Sequence, residues 1–302
     1  MNYVEEINKL KKEKNAIILA HYYQPAEIQD IADYLGDSLK LSQIAAESDA
    51  NIIVFCGVSF MAETAKILAP NKHVYLPAKN AGCRMTRFIN AKSLQKYKDE
   101  NPDTKILMYV NSEADCKALA DCCVTSSNAM SIIKKYLDNG EKIMYCPDQN
   151  LAKYAMKQMN TTFEYWDGCC ITHHQLQASD VLALKKKYPN ALVLAHPECN
   201  LSVLEVSDYV GSTKGIIEYA KNSDKDEFII ATEGGVIHQM EKNNPGKKFY
   251  LAGSCLVCPN MKKTTLEQVY ACLNDGVNEV FVDEEIAFKA KKSLDKMMEL
   301  SK

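Results

Sequence analysis

No stretch of this 302-residue chain is apolar over the roughly 18 residues that a membrane helix needs. The opening residues, Met1-Asn2-Tyr3-Val4-Glu5-Glu6, lack the apolar run of a secretion signal. Excess positive charge is missing as well: 36 Lys and Arg stand against 39 Asp and Glu, for a net charge of −3. With 1 tryptophan and no aromatic stripe, nothing marks a nucleic-acid or membrane surface. There is no ferredoxin-type run of closely spaced cysteines and no paired CxxC…CxxC zinc motif. These absences lead us to expect a soluble, cytoplasmic protein without nucleic-acid or membrane partners.

Cysteine itself is abundant, with 12 residues. In a reducing compartment that number points to metal binding or catalysis, not a disulfide scaffold. Cys56 and Cys146 end apolar runs and read as small core residues. The informative cysteines are those that keep step with an internal repeat. The strand ends Leu19-Ala20-His21, Leu107-Met108-Tyr109 and Leu194-Ala195-His196 are separated by 88 and 87 residues. Twelve residues beyond each marker stands an acid: Asp33, Asp121 and Asp208. Seventeen residues beyond stands a hydroxyl: Ser38, Ser126 and Thr213. Then 62, 61 and 62 residues beyond come Cys83, Cys170 and Cys258. Four residue classes in one phase predict that three copies present them to a common centre.

Each copy reads as an α/β unit. In the first, an amphipathic helix over 3–14 precedes a strand over 16–23. A short helix after Pro25 stops at Gly36, and Ser38 is placed to cap the next helix. Strands over 51–56 and 73–77 flank a helix over 59–68, and Cys83 lies on the loop beyond. Strands over 105–110, 142–145 and 162–165, then over 191–195, 227–231 and 248–251, repeat the order. Near-continuous apolar strands alternating with helices predict parallel sheets covered on both faces. We therefore expect an α/β protein of three small α/β/α layered domains around a pseudo-threefold axis, spanning 1–89, 90–177 and 178–302, the last with a C-terminal extension. A period near 87 residues is too long for the unit of a closed eight-stranded barrel.

Sites in such sheets gather at the carboxyl ends of strands, where His21, Tyr109 and His196 lie. Three thiolates converging there can hold zinc, or a [4Fe–4S] cubane with one iron free of protein ligands. An open iron is a Lewis acid suited to dehydration. Cys169 competes with Cys170 and Cys255 with Cys258, and phase favours Cys258. Cys255 could instead pair with Cys258 as a redox partner. Ser38, Ser126 and Thr213, each expected to cap a helix, would turn three N-termini toward one multiply anionic ligand. Glu198, in His196-Pro197-Glu198, is the candidate general base, its pKa expected to rise with burial. Tyr109-Val110-Asn111 adds hydrogen-bonding groups, and Tyr23 is a candidate proton donor.

Taken together, the strings resemble the quinolinate synthase family from about residue 15 to 265. They are His21-Tyr22-Tyr23-Gln24, Gly36-Asp37-Ser38, Phe60-Met61-Ala62-Glu63, Gly82-Cys83, Tyr109-Val110-Asn111-Ser112, Thr125-Ser126-Ser127-Asn128, Cys170…His173, His196-Pro197-Glu198-Cys199, Asp208 to Thr213, and Cys258-Pro259-Asn260-Met261-Lys262. Arg84 and Thr172 depart from the usual pattern. The resemblance implies three α/β domains and one [4Fe–4S] cluster on Cys83, Cys170 and Cys258. It implies condensation of iminoaspartate with dihydroxyacetone phosphate to quinolinate, phosphate and water, in NAD biosynthesis, with an oxygen-sensitive cluster and an upstream enzyme producing iminoaspartate. Substrate contacts are implied for His21, Ser38, Tyr109, Val110, Asn111, Ser126, His196, Pro197, Glu198 and Thr213, with catalysis by Glu198, Tyr23 and His196. An aconitase-like hydro-lyase acting on a small di- or tricarboxylate shares the three-cysteine cluster but leaves the phosphate-friendly N-termini without a ligand. A metal-binding regulator would need a partner surface that the sequence does not offer.

Overall fold

The structure, a computed structural model, describes residues 2–301. Twelve strands form three separate four-stranded sheets, each parallel throughout. The first contains β1 (Ala16–His21), β2 (Tyr34–Gly36), β3 (Ile52–Cys56) and β4 (His73–Tyr75). The second contains β5 (Thr104–Tyr109), β6 (Cys122–Val124), β7 (Lys142–Cys146) and β8 (Glu164–Tyr165). The third contains β9 (Leu192–Ala195), β10 (Tyr209–Val210), β11 (Glu227–Ala231) and β12 (Lys248–Leu251). The strand orders β2-β1-β3-β4, β6-β5-β7-β8 and β10-β9-β11-β12 are one topology used three times.

The apolar strands are buried on both faces, as parallel sheets require. Side chains alternate between layers: Leu19 and Leu194 enter a continuous inner core that also holds Leu107, while Ile18, Ala20, Val193 and Ala195 face outer clusters. The helices start and stop where local chemistry dictates. Asn90 accepts from Ser93 N to open Ala91–Glu100, and Thr265 with Gln268 forms a capping box for Leu266–Asp275. Ser59–Leu68 ends just before Pro70.

Two expectations need correction. The stretch ending at Gly36 is a short edge strand, where the end of a helix was expected, and the stretches ending at Val124 and Val210 are its counterparts. Strands of two or three residues carry too little periodicity to be seen in a sequence. The in-phase acids do not reach the common centre. Asp33, Asp121 and Asp208 accept the backbone N–H of Ile18, Ile106 and Val193 at 2.7, 2.8 and 2.8 Å. Each therefore ties an edge connection to the middle of its sheet, away from the strand ends, and each has a lysine partner: Lys11, Lys105 or Lys185.

The C-terminal segment returns to the earlier units. Leu266–Asp275 puts Val269, Cys272 and Leu273 on the outer face of the first sheet. The helix Glu284–Leu300 packs beside β6 and the short helix Ala114–Lys117, where Ser293 Oγ donates to Lys117 O at 2.8 Å.

Candidate active site

The carboxyl ends of the three sheets face one cavity of about 370 Å³. Its lining includes all three markers (His21, Tyr109, His196), all three hydroxyl residues (Ser38, Ser126, Thr213) and all three cysteines (Cys83, Cys170, Cys258). Tyr23, Asn111 and Glu198 line it too. Val110 and Pro197 are buried beside lining residues but are not among them. Cys170 lines the cavity and Cys169 does not, while Cys255 and Cys258 both do. All 12 cysteines are free thiols.

The hydroxyls reach the cavity by a different route from the expected capping. Asp37 caps Ser38–Glu47 through Lys40 N, and Ser212 caps Thr213–Asn222 through Gly215 N. Ser38 and Thr213 are therefore the first helical residues, and Ser126 precedes the cap Asn128 of Ala129–Asp138. An N-cap oxygen must turn back onto its own helix. Assigning that task to the preceding residue leaves the Ser38 and Thr213 hydroxyls free to face the cavity.

His21 and His196 are oriented alike. Nδ1 of His21 accepts from Tyr23 N at 3.2 Å, and Nδ1 of His196 accepts from Glu198 N at 3.3 Å. The proton of each neutral ring is then on Nε2, a donor for anionic oxygen. Burial holds both imidazoles neutral, pushed down to about 3.

Between the sheets runs a chain of hydrogen bonds. Glu198 Oε1 accepts from Tyr109 Oη at 2.7 Å, and Oε2 lies 2.9 Å from His173 Nδ1. A carboxylate only accepts, so His173 carries a proton on Nδ1. In the neutral ring Nε2 accepts from Thr232 Oγ1 at 2.9 Å. Thr232 Oγ1 and Thr213 Oγ1 each stand 2.8 Å from Tyr23 Oη. Burial works to raise the Glu198 pKa, but His196, His173 and Tyr109 outweigh it and hold the carboxyl at about 2. The expected rise is thus reversed, because burial arrived together with donors. Burial and the Glu198 charge raise the pKa of the neighbouring Asp148, against the backbone N–H groups of Leu151 and Cys170 that its two oxygens accept from. Tyr23 and Tyr109 are likewise driven above their usual values, first by burial and then by Glu198.

His173 Nδ1 also lies 3.2 Å from Cys170 Sγ, and Cys170, His173 and Glu198 bring ligand atoms within 4.8 Å of one another. Burial raises Cys83 to about 12 and Cys170 well above its usual value. Buried thiols of this kind stay protonated until a cation replaces the proton, and soft sulfur suits iron or zinc.

Sequence reasoning did not assign roles to His173, Thr232 and Asp148. His173 carried a signal, since it stands one helical turn after Cys170. Thr232 had none, because only the fold brings it to Tyr23.

A family model described as quinolinate synthetase A protein matches residues 5–299. The chain belongs to the quinolinate synthase family. Within that family of enzymes, it is 50% identical over 300 residues to the quinolinate synthase of Alkaliphilus metalliredigens, covering 99% of this chain and 98% of the relative. It is 49% identical over 297 residues to that of Clostridioides difficile, covering 98% and 97%. It is 48% identical over 296 residues to that of Caldicellulosiruptor bescii, with the same coverage. Among the described residues no helix is long and apolar enough to cross a membrane.

Proposed function

We propose that this member of the quinolinate synthase family condenses iminoaspartate with dihydroxyacetone phosphate, giving quinolinate, phosphate and water, with Cys83, Cys170 and Cys258 holding a [4Fe–4S] cluster. The observation that carries the reading is the meeting of three thiols from three sheets with a ring of donors in one cavity. Each of the units 1–89, 90–177 and 178–302 contributes one cysteine, one hydroxyl and one marker. Their reduced thiols suit the cytoplasm, where an iminoaspartate-producing enzyme supplies the first substrate.

When bound, the cluster supplies a Lewis-acidic iron for hydroxyl and carboxylate oxygens. The Nε2–H groups of His21 and His196, the hydroxyls of Ser38, Ser126 and Thr213, and the Asn111 amide bind the carboxylates and phosphate. The helix N-termini at Ser38 and Thr213 add backbone N–H groups. Val110 and Pro197 set the backbone that carries Asn111 and Glu198 into the cavity.

Glu198 is ionised and accepts the proton in triose enolisation and the later deprotonations. Its basicity recovers as His173 and Tyr109 turn their donors to substrate oxygens. Tyr23, its phenol held between Thr213 and Thr232, delivers a proton, and His196 holds a carboxylate beside the base.

The test is quinolinate formation by anaerobically loaded protein. We expect quinolinate with equimolar phosphate, both lost in Cys170→Ala. Dehydration of a di- or tricarboxylate, with no phosphate released, would favour a hydro-lyase instead.

A further inference from the structure

The three cysteine loops are pinned to the sheets by one repeated device, and two of them carry an extra anchor. Cys56, Cys146 and Ala231 occupy equivalent places, each paired with the residue before its marker. Three residues further on, Ser59 N, Gln149 N and Gly234 N donate to Ala81 O, Gly168 O and Leu256 O, each at 2.8 Å. Those carbonyls belong to the residues two before Cys83, Cys170 and Cys258.

One residue earlier the three copies differ. The second and third units have Asp148 and Glu233, both fully buried. Asp148 accepts from Leu151 N at 2.8 Å and from the backbone N–H of Cys170 at 3.2 Å. Glu233 accepts from Gly235 N at 2.7 Å and from the backbone N–H of Cys258 at 3.0 Å, with Lys262 Nζ at 2.9 Å. The first unit has Val58, which offers no acceptor.

We propose that Asp148 and Glu233 are paired positioning residues that fix the amides of Cys170 and Cys258 and so preset two of the three sulfur ligands, while the amide of Cys83 has no such carboxylate. The ligand role of these sulfurs rests on the cluster reading given above; the anchoring of their loops does not.

Asp148→Asn and Glu233→Gln keep the side-chain shape but offer one acceptor oxygen in place of two, so each gives up one of its N–H bonds. The reduced, metal-free chain is alkylated with iodoacetamide and the rate at each cysteine is followed by mass spectrometry. Asp148→Asn should speed modification of Cys170 about 5- to 10-fold, as for one lost hydrogen bond, while Cys83 and Cys258 keep the wild-type rate. Glu233→Gln should do the same at Cys258 alone. After anaerobic loading with iron and sulfide, both variants should also release iron to a chelator several-fold faster.

Unchanged rates at the paired cysteine, or equal acceleration at all three, would overturn the proposal. The variants act on separate sheets, so one that fails to fold leaves the other as the test. If the wild-type chain takes up no iron while the site-specific alkylation pattern holds, the cluster reading fails and the anchoring stands.

Discussion

Tyr109 Oη donates to Glu198 Oε1 over 2.7 Å, joining the strand end of the second sheet to that of the third. This bond orients the carboxylate toward the cavity and holds it ionised. Tyr109→Phe removes the donor with little change in shape. Turnover should fall about 10²-fold, the usual contribution of one positioned proton-transfer or hydrogen-bonding group, with bound iron unchanged. Quinolinate assays beside iron analysis check it.

Tyr23 Oη bridges Thr213 and Thr232, hydroxyls contributed by two places in the third unit. On the proposed role of Tyr23 in proton delivery, Tyr23→Phe should lower kcat by about 10²-fold and move KM far less. A KM rise with unchanged kcat would assign Tyr23 to binding instead.

Glu198→Gln should lower kcat by about 10³-fold or more while substrate still binds. A single-turnover experiment with wild-type rates would remove Glu198 from the role of base.

Gly168 packs where a side chain has no room. A Cβ there would stand 2.7 Å from Pro147 O and 2.8 Å from Phe88 Cβ. Gly168→Ala must move the loop that leads to Cys170, at a cost of about 1–3 kcal/mol. Thermal unfolding should show the loss, and reconstituted protein should hold less iron than wild type.

Glu63 is raised to about 7, chiefly by burial, with Glu113 adding to the shift and Lys117 opposing it. Between the ordinary glutamate pKa and 7 the native chain holds a proton that the unfolded chain releases. This contribution therefore weakens the fold as pH rises through that window. Glu63→Gln removes the proton exchange. The variant should lose less Tm than wild type between pH 5 and pH 7.5, and parallel curves would contradict the assignment.

The sequence alone determined the threefold repeat, the α/β class and every strand except β2, β6 and β10, but it did not mark the longest helix, Glu284–Leu300. The strands 227–231 and 248–251 match their observed bounds, and the helix over 59–68 does as well. Buried parallel strands write their identity as apolar runs, and helices write theirs as a 3.6-residue period with caps, so both are local signals. Repetition gave the site's outline, because His21, Ser38 and Cys83 recur in phase with residues that line the same cavity.

Phase could not separate residues that serve the sheet from residues that serve the site. Asp33, Asp121 and Asp208 repeat as faithfully as the cysteines, yet they satisfy strand N–H groups, a demand each copy of the fold makes afresh. Only the tertiary structure decided the protonation of Glu198, since its pKa depends on donors from His173 and Tyr109. Only the structure joined Thr232 to Tyr23 across 209 residues, and Asp148 and Glu233 to the amides of the cysteines they hold. Electrostatics and hydrogen bonding act through space over a few ångströms, and chain separation carries no record of which groups will meet.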